Sequence, residues 1–217
     1  MSGYSGLART AADASQLTTS AFLTLLMGMS LVAMTVFLYP IFKKDSEALA
    51  VSMLLFRGAL EGAAYIMATF NILMLIALGR EYAATGADSA SLQSVGNVVY
   101  QYFDLFAPIL SITFLIGATC LYISFYRTKL IPRWLSVWGL IGVAPYMAYA
   151  MMQFFHVDTG FGVYLQVPLG IQELVMGLWL IVAGFNPAAV QALNASHTAQ
   201  PANLASYSIF EQVAQQS

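Results

Sequence analysis

Charge is what this sequence lacks most. Lysine, arginine, aspartate and glutamate make up 8% of its 217 residues, against about 25% in a soluble domain. Eight basic and ten acidic residues leave a formal net charge of −2, so there is no basic footprint for a nucleic-acid partner. Cysteine is reduced to Cys120, which excludes an internal disulfide and a Cys/His metal spacing. His156 and His197 lie in different regions, so two axial haem histidines at usable depth are missing. No nucleophile elbow, P-loop, zinc-protease motif or dinucleotide fingerprint occurs. No cofactor and no metal are expected. Residues 1–16 are small and polar, without the basic stretch and apolar core of a signal peptide. They read as a flexible or interfacial lead-in outside the bilayer.

What is present is apolar. Hydrophobic residues make up 59% of the chain and mean hydropathy is +0.74, so the solvent for most of it is lipid. About 20 apolar residues span a bilayer core. Stretches of that kind run over about 17–42, 47–78, 95–126, 134–154 and 164–185. The predicted fold is an all-α polytopic bundle of five spanning helices. Pro108, Pro145 and Pro168 fall inside three of them and are expected to bend their helices. The second stretch has no proline and is expected to be straight. Residues 187–217 read as a solvated tail rich in Ala, Ser, Gln and Asn, with a weak helical pattern at 208–213.

Lysine and arginine give a direction. Lys43 and Lys44 lie in the first loop; Arg127, Lys129 and Arg133 lie in the third. The positive-inside rule then puts the N-terminus out and the C-terminus in. Tyr39, Phe42, Tyr122, Phe125, Tyr126, Trp134 and Trp138 are expected at the inner interface as an aromatic belt.

Ionic residues inside the spans are the sharpest feature. Arg57 and Glu61 are four residues apart and share a helix face. At about 1.5 Å of rise per residue they fall near the midplane of the second span. Gln172 and Glu173 fall near the midplane of the fifth. One guanidinium would face two carboxyls and cannot neutralise both, so one acid is expected to hold or share a proton. Charges at this depth are costly and are by default functional candidates. A buried Arg–Glu pair can equally do no more than fix helix register. Tyr65, one turn outward from Glu61, could donate its hydroxyl to the cluster. Gly58 and Gly62 have the spacing that lets another helix approach closely. Tyr100, Gln101, Tyr102 and Asp104 form a second polar group nearer the outer face, either a vestibule lining or an interfacial stretch.

Several blocks carry a resemblance. These are Leu38-Tyr39-Pro40 followed by Lys43, Phe56-Arg57 with Glu61, the run Leu130 to Gly142 (LIPRWLSVWGLIG), and Gln172-Glu173 followed by Trp179-Leu180-Ile181 and Gly184-Phe185-Asn186-Pro187. In this order, over about 17–187, they resemble an uncharacterised bacterial multi-pass family defined by a domain of unknown function (four-three-eight-six). The resemblance implies a helical protein of the bacterial inner membrane. It supplies no substrate, cofactor or catalytic residue. It also implies one further hydrophobic segment ahead of the first; this chain shows none there, leaving surface for a partner.

Three functions are compatible with these residues. Small size, short loops and the lack of catalytic motifs favour an accessory or structural subunit of a membrane complex. In that reading the Arg/Glu cluster clamps the bundle, and the partners are membrane lipids and other membrane subunits. The alternative is an intramembrane enzyme on a lipid or isoprenoid substrate, with Glu61 or Glu173 as Brønsted acid. It requires a lipid-open cavity reaching the cluster. A small proton-coupled transporter ranks last, because no inverted repeat is visible.

Overall fold

The computed structural model describes residues 6–85, 90–157 and 160–195. Among these the regular structure is helical, with no strand. A short helix α1 (Gly6–Ala12) leads into α2 (Ala14–Phe42). Then come α3 (Glu47–Thr85), α4 (Ala90–Thr128), α5 (Arg133–Phe154) and α6 (Gly162–Val182). Residues 187–195 form a last helix, α7. Five of these, α2 to α6, are long and apolar enough to cross a membrane, which is the make-up of an integral membrane protein.

Ser46 starts α3: its hydroxyl accepts from the Leu49 amide at 3.4 Å, and Glu47 occupies the first turn. The helix is not uniform. Residues Leu54–Leu60 form a π-helical turn, so the expectation of a straight α-helix fails at Arg57. A π turn carries one extra residue per turn and widens the helix locally. Close approach of α4 accompanies it here. A Cβ on Gly117 would stand 2.6 Å from the Arg57 nitrogen and 2.8 Å from its Cβ. On another side α2 is equally close: a Cβ on Gly62 would stand 2.6 Å from Val32, and one on Gly28 2.7 Å from the Tyr65 Cβ. Gly58 faces Thr35.

Pro108 and Pro145 lie inside unbroken helices. Pro168 does not bend one. It stands at the start of the α-helical part of α6, after a 3-10 turn over Gly162–Gln166, where its missing N–H is no loss.

The core fills the bundle around the C-terminal half of α4. Phe42, Tyr122 and Phe125 belong to it, fully buried, with Phe42 edge-on to Phe125 at 5.1 Å. They are not belt residues as composition suggested. Tyr126 and Trp134 are exposed.

Both ends of the chain differ from their polar reading. Leu7 and Thr10 share one face of α1 and are buried. They rest on glycines, Leu7 on Gly96 and Thr10 on Gly79, which lets a short polar helix lie flat across α3 and α4. At the other end Asn186 caps α7, its Oδ1 accepting from the Ala188 amide at 3.1 Å. The Asn186 amide donates to the Leu130 carbonyl at 2.9 Å. Val190 and Leu193, three residues apart, pack on the core, and Lys44 donates to Asn194 at 2.6 Å. Residues 208–213 lie outside the described residues.

Candidate functional site

The structure brings Arg57, Glu61 and Glu173 together between α3 and α6. Arg57 is 5% exposed and Glu61 2%. The Arg57 Nη2 donates to Glu173 Oε1 at 2.7 Å. Toward Glu61 its contacts are longer, 3.3 Å from Nη1 to Oε2 and 3.5 Å to Oε1. Glu173 has a second donor, the Tyr122 hydroxyl at 3.0 Å. The guanidinium also lies over the Phe114 ring, 4.4 Å from its centroid, a favourable place for a desolvated cation. Glu173 is therefore firmly held on two sides and Glu61 loosely on one.

Two atoms of this cluster are left over. The Arg57 Nε and the Glu61 Oε2 are buried and take no hydrogen bond from the described residues. Buried polar atoms are normally paired, so an Nε–H with no acceptor among the described residues calls for an explanation, as does an Oε2 held only by the 3.3 Å ion-pair contact from Arg57 Nη1. Beside them lies a partly open cavity of about 330 Å³. Arg57, Glu61 and Glu173 line it together with Tyr65, Phe114 and Tyr146. Met27 of α2 and Gly170 of α6 also border it. A Cβ on Gly170 would meet nothing within 4 Å, so this wall is open.

Gln172 does not join the cluster. Successive helix residues point about 100° apart, and its side chain turns to α5. There Nε2 donates to the Leu135 carbonyl at 3.0 Å, while Oε1 is unpaired among the described residues. Tyr65 lines the cavity, but the hydroxyl that donates to an acid of the cluster, Glu173, belongs to Tyr122.

The family described as Domain of unknown function (DUF4386) matches residues 4–184. The chain belongs to this family. No curated protein and no solved structure matches it. The family match takes in all five spans and every residue of the cluster, so the cavity lies inside the part that defines the family.

The second polar group has a different geometry. Tyr100, Gln101, Tyr102 and Asp104 are all exposed, spread around the N-terminal part of α4. Tyr102 stacks on Phe106 at 5.9 Å. Asp104 borders a shallow cleft with Tyr149, Gln153 and His156. These four residues do not converge on one point.

Tyr122, Phe114 and Gly117 complete the site and were not visible as site residues in the sequence. A signal existed for two of them. Phe114 and Gly117 stand three apart on the apolar half of α4, and Tyr122 follows at a spacing that keeps it near the same face. Nothing in the sequence alone showed which helix that face would meet.

Proposed function

We propose that this family member is a ligand-binding protein of the bacterial inner membrane, N-terminus out and C-terminus in. Its ligand sits within the bilayer, in the cavity floored by Arg57, Glu61 and Glu173. One observation carries this reading: Arg57, Glu61 and Glu173, a buried cluster whose Arg57 Nε–H finds no acceptor among the described residues, line a partly open cavity together with Met27 of α2 and Gly170 of α6. A cluster that only clamped the bundle would be expected to satisfy its own polar atoms, because half-satisfied buried networks are costly. A clamp and a binding site are compatible, so a role as a subunit of a membrane complex is not in conflict with it.

Acid catalysis by Glu61 or Glu173 on a lipid-type substrate is the second reading. It is favoured by the fact that both carboxyls line the cavity.

The test fills the cavity without disturbing its walls. Gly170→Phe places a ring where a Cβ meets nothing within 4 Å. Wild type and variant are purified in mild detergent and their retained amphiphiles compared by mass spectrometry. The expected outcome is a bound species present in the wild type and absent from Gly170→Phe, with equal melting temperatures. Identical retention by both would remove the cavity from the function.

A further inference from the structure

A second cavity, of about 430 Å³, lies at the end of the bundle that carries the α4–α5 loop. Its walls are that loop, Lys129 to Arg133, and the chain where α6 ends and α7 begins. The Asn186 amide ties the two walls together, donating to the Leu130 carbonyl at 2.9 Å. Two cations line this cavity, Lys129 and Arg133, and no acid does. The other cations of this end are placed differently. Lys43 pairs with Glu47 at 3.5 Å and Arg127 with Asp45 at 2.7 Å, while Lys44 donates to Asn194. Lys129 and Arg133 form no ion pair among the described residues. Arg133 lies over the Tyr126 ring, 5.0 Å from its centroid, which steadies the guanidinium without neutralising it. Lys129 closes α4 at φ +57°, a left-handed position usually given to glycine or asparagine. A long cationic side chain is kept there against the preference of the backbone.

An apolar groove of about 390 Å³ adjoins this cavity, and Gly184 and Phe185 line both. The groove runs over α4 between α2 and α6. Its lining residues on α6, Met176 and Leu180, lead to Gly184 in steps of four. On α4, Leu121 and Phe125 lead in the same steps to Lys129. Four residues are close to one turn, so each series keeps to one helix face and extends about 12 Å into its span. One end of the joined space carries two cations, and the other carries hydrocarbon.

We infer that this joined space binds a phospholipid with a net-negative head, its phosphate held by Lys129 and Arg133 and one acyl chain lying in the groove. Charge chooses the head. Two cations with no acid beside them attract an anionic lipid head, and a guanidinium fork matches phosphate oxygens. A zwitterionic head brings its own cation against both side chains. Position agrees with this choice: α4 ends at Thr128, α5 starts at Arg133 and α6 ends at Val182, so the cations stand where three spans end and headgroups begin. Trp179 lines the same cavity, as tryptophan does at headgroup level. The groove chooses a lipid over a free phosphate, because only a ligand with a chain fills it. The site shares no residue with the Arg57 cavity, so neither reading depends on the other.

The probes are phosphatidylglycerol, phosphatidylcholine and diacylglycerol with the same acyl chains, and glycerol 3-phosphate without chains. Each is titrated onto the full chain in detergent micelles at fixed ionic strength, and retention is read by native mass spectrometry. Wild type, the double variant Lys129→Gly/Arg133→Gln, Leu180→Trp and Gly170→Phe are compared. The expected result is phosphatidylglycerol retained about tenfold better than phosphatidylcholine or diacylglycerol, a factor within reach of two basic residues beside an anionic head. The double variant loses that preference, and Leu180→Trp weakens phosphatidylglycerol. Gly170→Phe, at the other cavity, retains it as wild type does. Lys129→Gly suits a left-handed backbone, and the comparison of lipids uses wild type alone, so it stands even if a variant fails to fold. Phosphatidylcholine held as tightly as phosphatidylglycerol would overturn the anionic head. Glycerol 3-phosphate held as tightly would make this a site for free phosphate and overturn the lipid. An unchanged preference in the double variant would overturn Lys129 and Arg133 as the head site. Equal retention by Leu180→Trp would overturn the groove as the chain site. Loss in Gly170→Phe would overturn the separation of the two cavities.

Discussion

Two polar groups interrupt the apolar spans, and the fold treats them in opposite ways. Arg57 and Glu61 are sealed in the bundle, paired with Glu173 of another helix and bonded through it to Tyr122 of a third. Tyr100, Gln101, Tyr102 and Asp104 remain exposed around the N-terminal part of α4. Polarity does not separate the two groups; helix spacing does. Around Arg57, glycines let α2 and α4 come within van der Waals reach of α3. Beside Asp104 the cleft is lined by Ala107, Gly160 and Gly162, but a Cβ on Gly160 would meet nothing within 4 Å, so no backbone presses close at that glycine. A polar side chain in a span gains partners where backbones approach, and otherwise it faces outward.

Removing the cation should have the largest effect. Arg57→Leu leaves Glu61 and Glu173 facing each other without their shared partner. Breaking a buried ion pair in this way costs about 3–5 kcal/mol. The expected outcome is a large fall in the fraction of monodisperse protein after a heating series, followed by fluorescence-detected size exclusion. Adding Glu61→Gln and Glu173→Gln to Arg57→Leu should recover much of the loss, because no unpaired charge then remains. Full stability of the single variant would break the contrast between the two groups.

Helix spacing is tested next. Gly117→Val puts branched carbons where the Arg57 backbone already stands within 3 Å of a Cβ. Overpacking of this kind costs about 1–3 kcal/mol. Gly170→Ala, on the open wall, is its control. It meets nothing within 4 Å and replaces a helical glycine, so it should be neutral or stabilising by up to about 1 kcal/mol. Equal destabilisation by the two would show that close approach is not what seals the cluster.

These residues also mark how far the sequence could be read. The five spans were legible because apolar length is a direct signal of lipid as solvent. So was the common height that brings Arg57, Glu61 and Glu173 into contact, since rise per residue converts sequence position to height along a helix. Rotation about each helix axis was not legible. Gln172 and Glu173 have the same depth and nearly the same polarity, and only packing decides that one faces α5 and the other Arg57. Tyr122 reads as a belt residue for the same reason: an aromatic near a span end looks alike whether it faces headgroups or a partly buried carboxyl. The π turn at Leu54–Leu60 has no proline to announce it. Residues 6–12 and 187–195 were hidden by their polar composition. Each buries only two or three side chains against the bundle, too few to give a periodic signal.

The Tyr122 hydroxyl gives a smaller effect. Tyr122→Phe keeps the ring in the core and deletes the bond to Glu173. A hydrogen bond to a charged group is worth about 1.5–3 kcal/mol, and the Glu173 side chain is 29% exposed, so the lower end applies. In a Glu173→Gln background the same substitution should have less effect. A double-mutant cycle on thermal stability reads that coupling. Additive effects would detach Tyr122 from the cluster.

The smallest effect is expected at the other polar group, where the contrast is easiest to overturn. Asp104 is exposed, and the cleft it borders is walled by Tyr149, Gln153 and His156 on the facing helix end. With no tight partner among the described residues to lose, Asp104→Asn should shift stability by no more than about 0.5 kcal/mol, as exposed substitutions usually do. The side chain keeps its size, so packing is unchanged and the measurement isolates the charge. A loss comparable to that of Arg57→Leu would mean that the second group is also held by specific partners. Helix spacing would then not be the property that separates a buried ionic site from an exposed polar group.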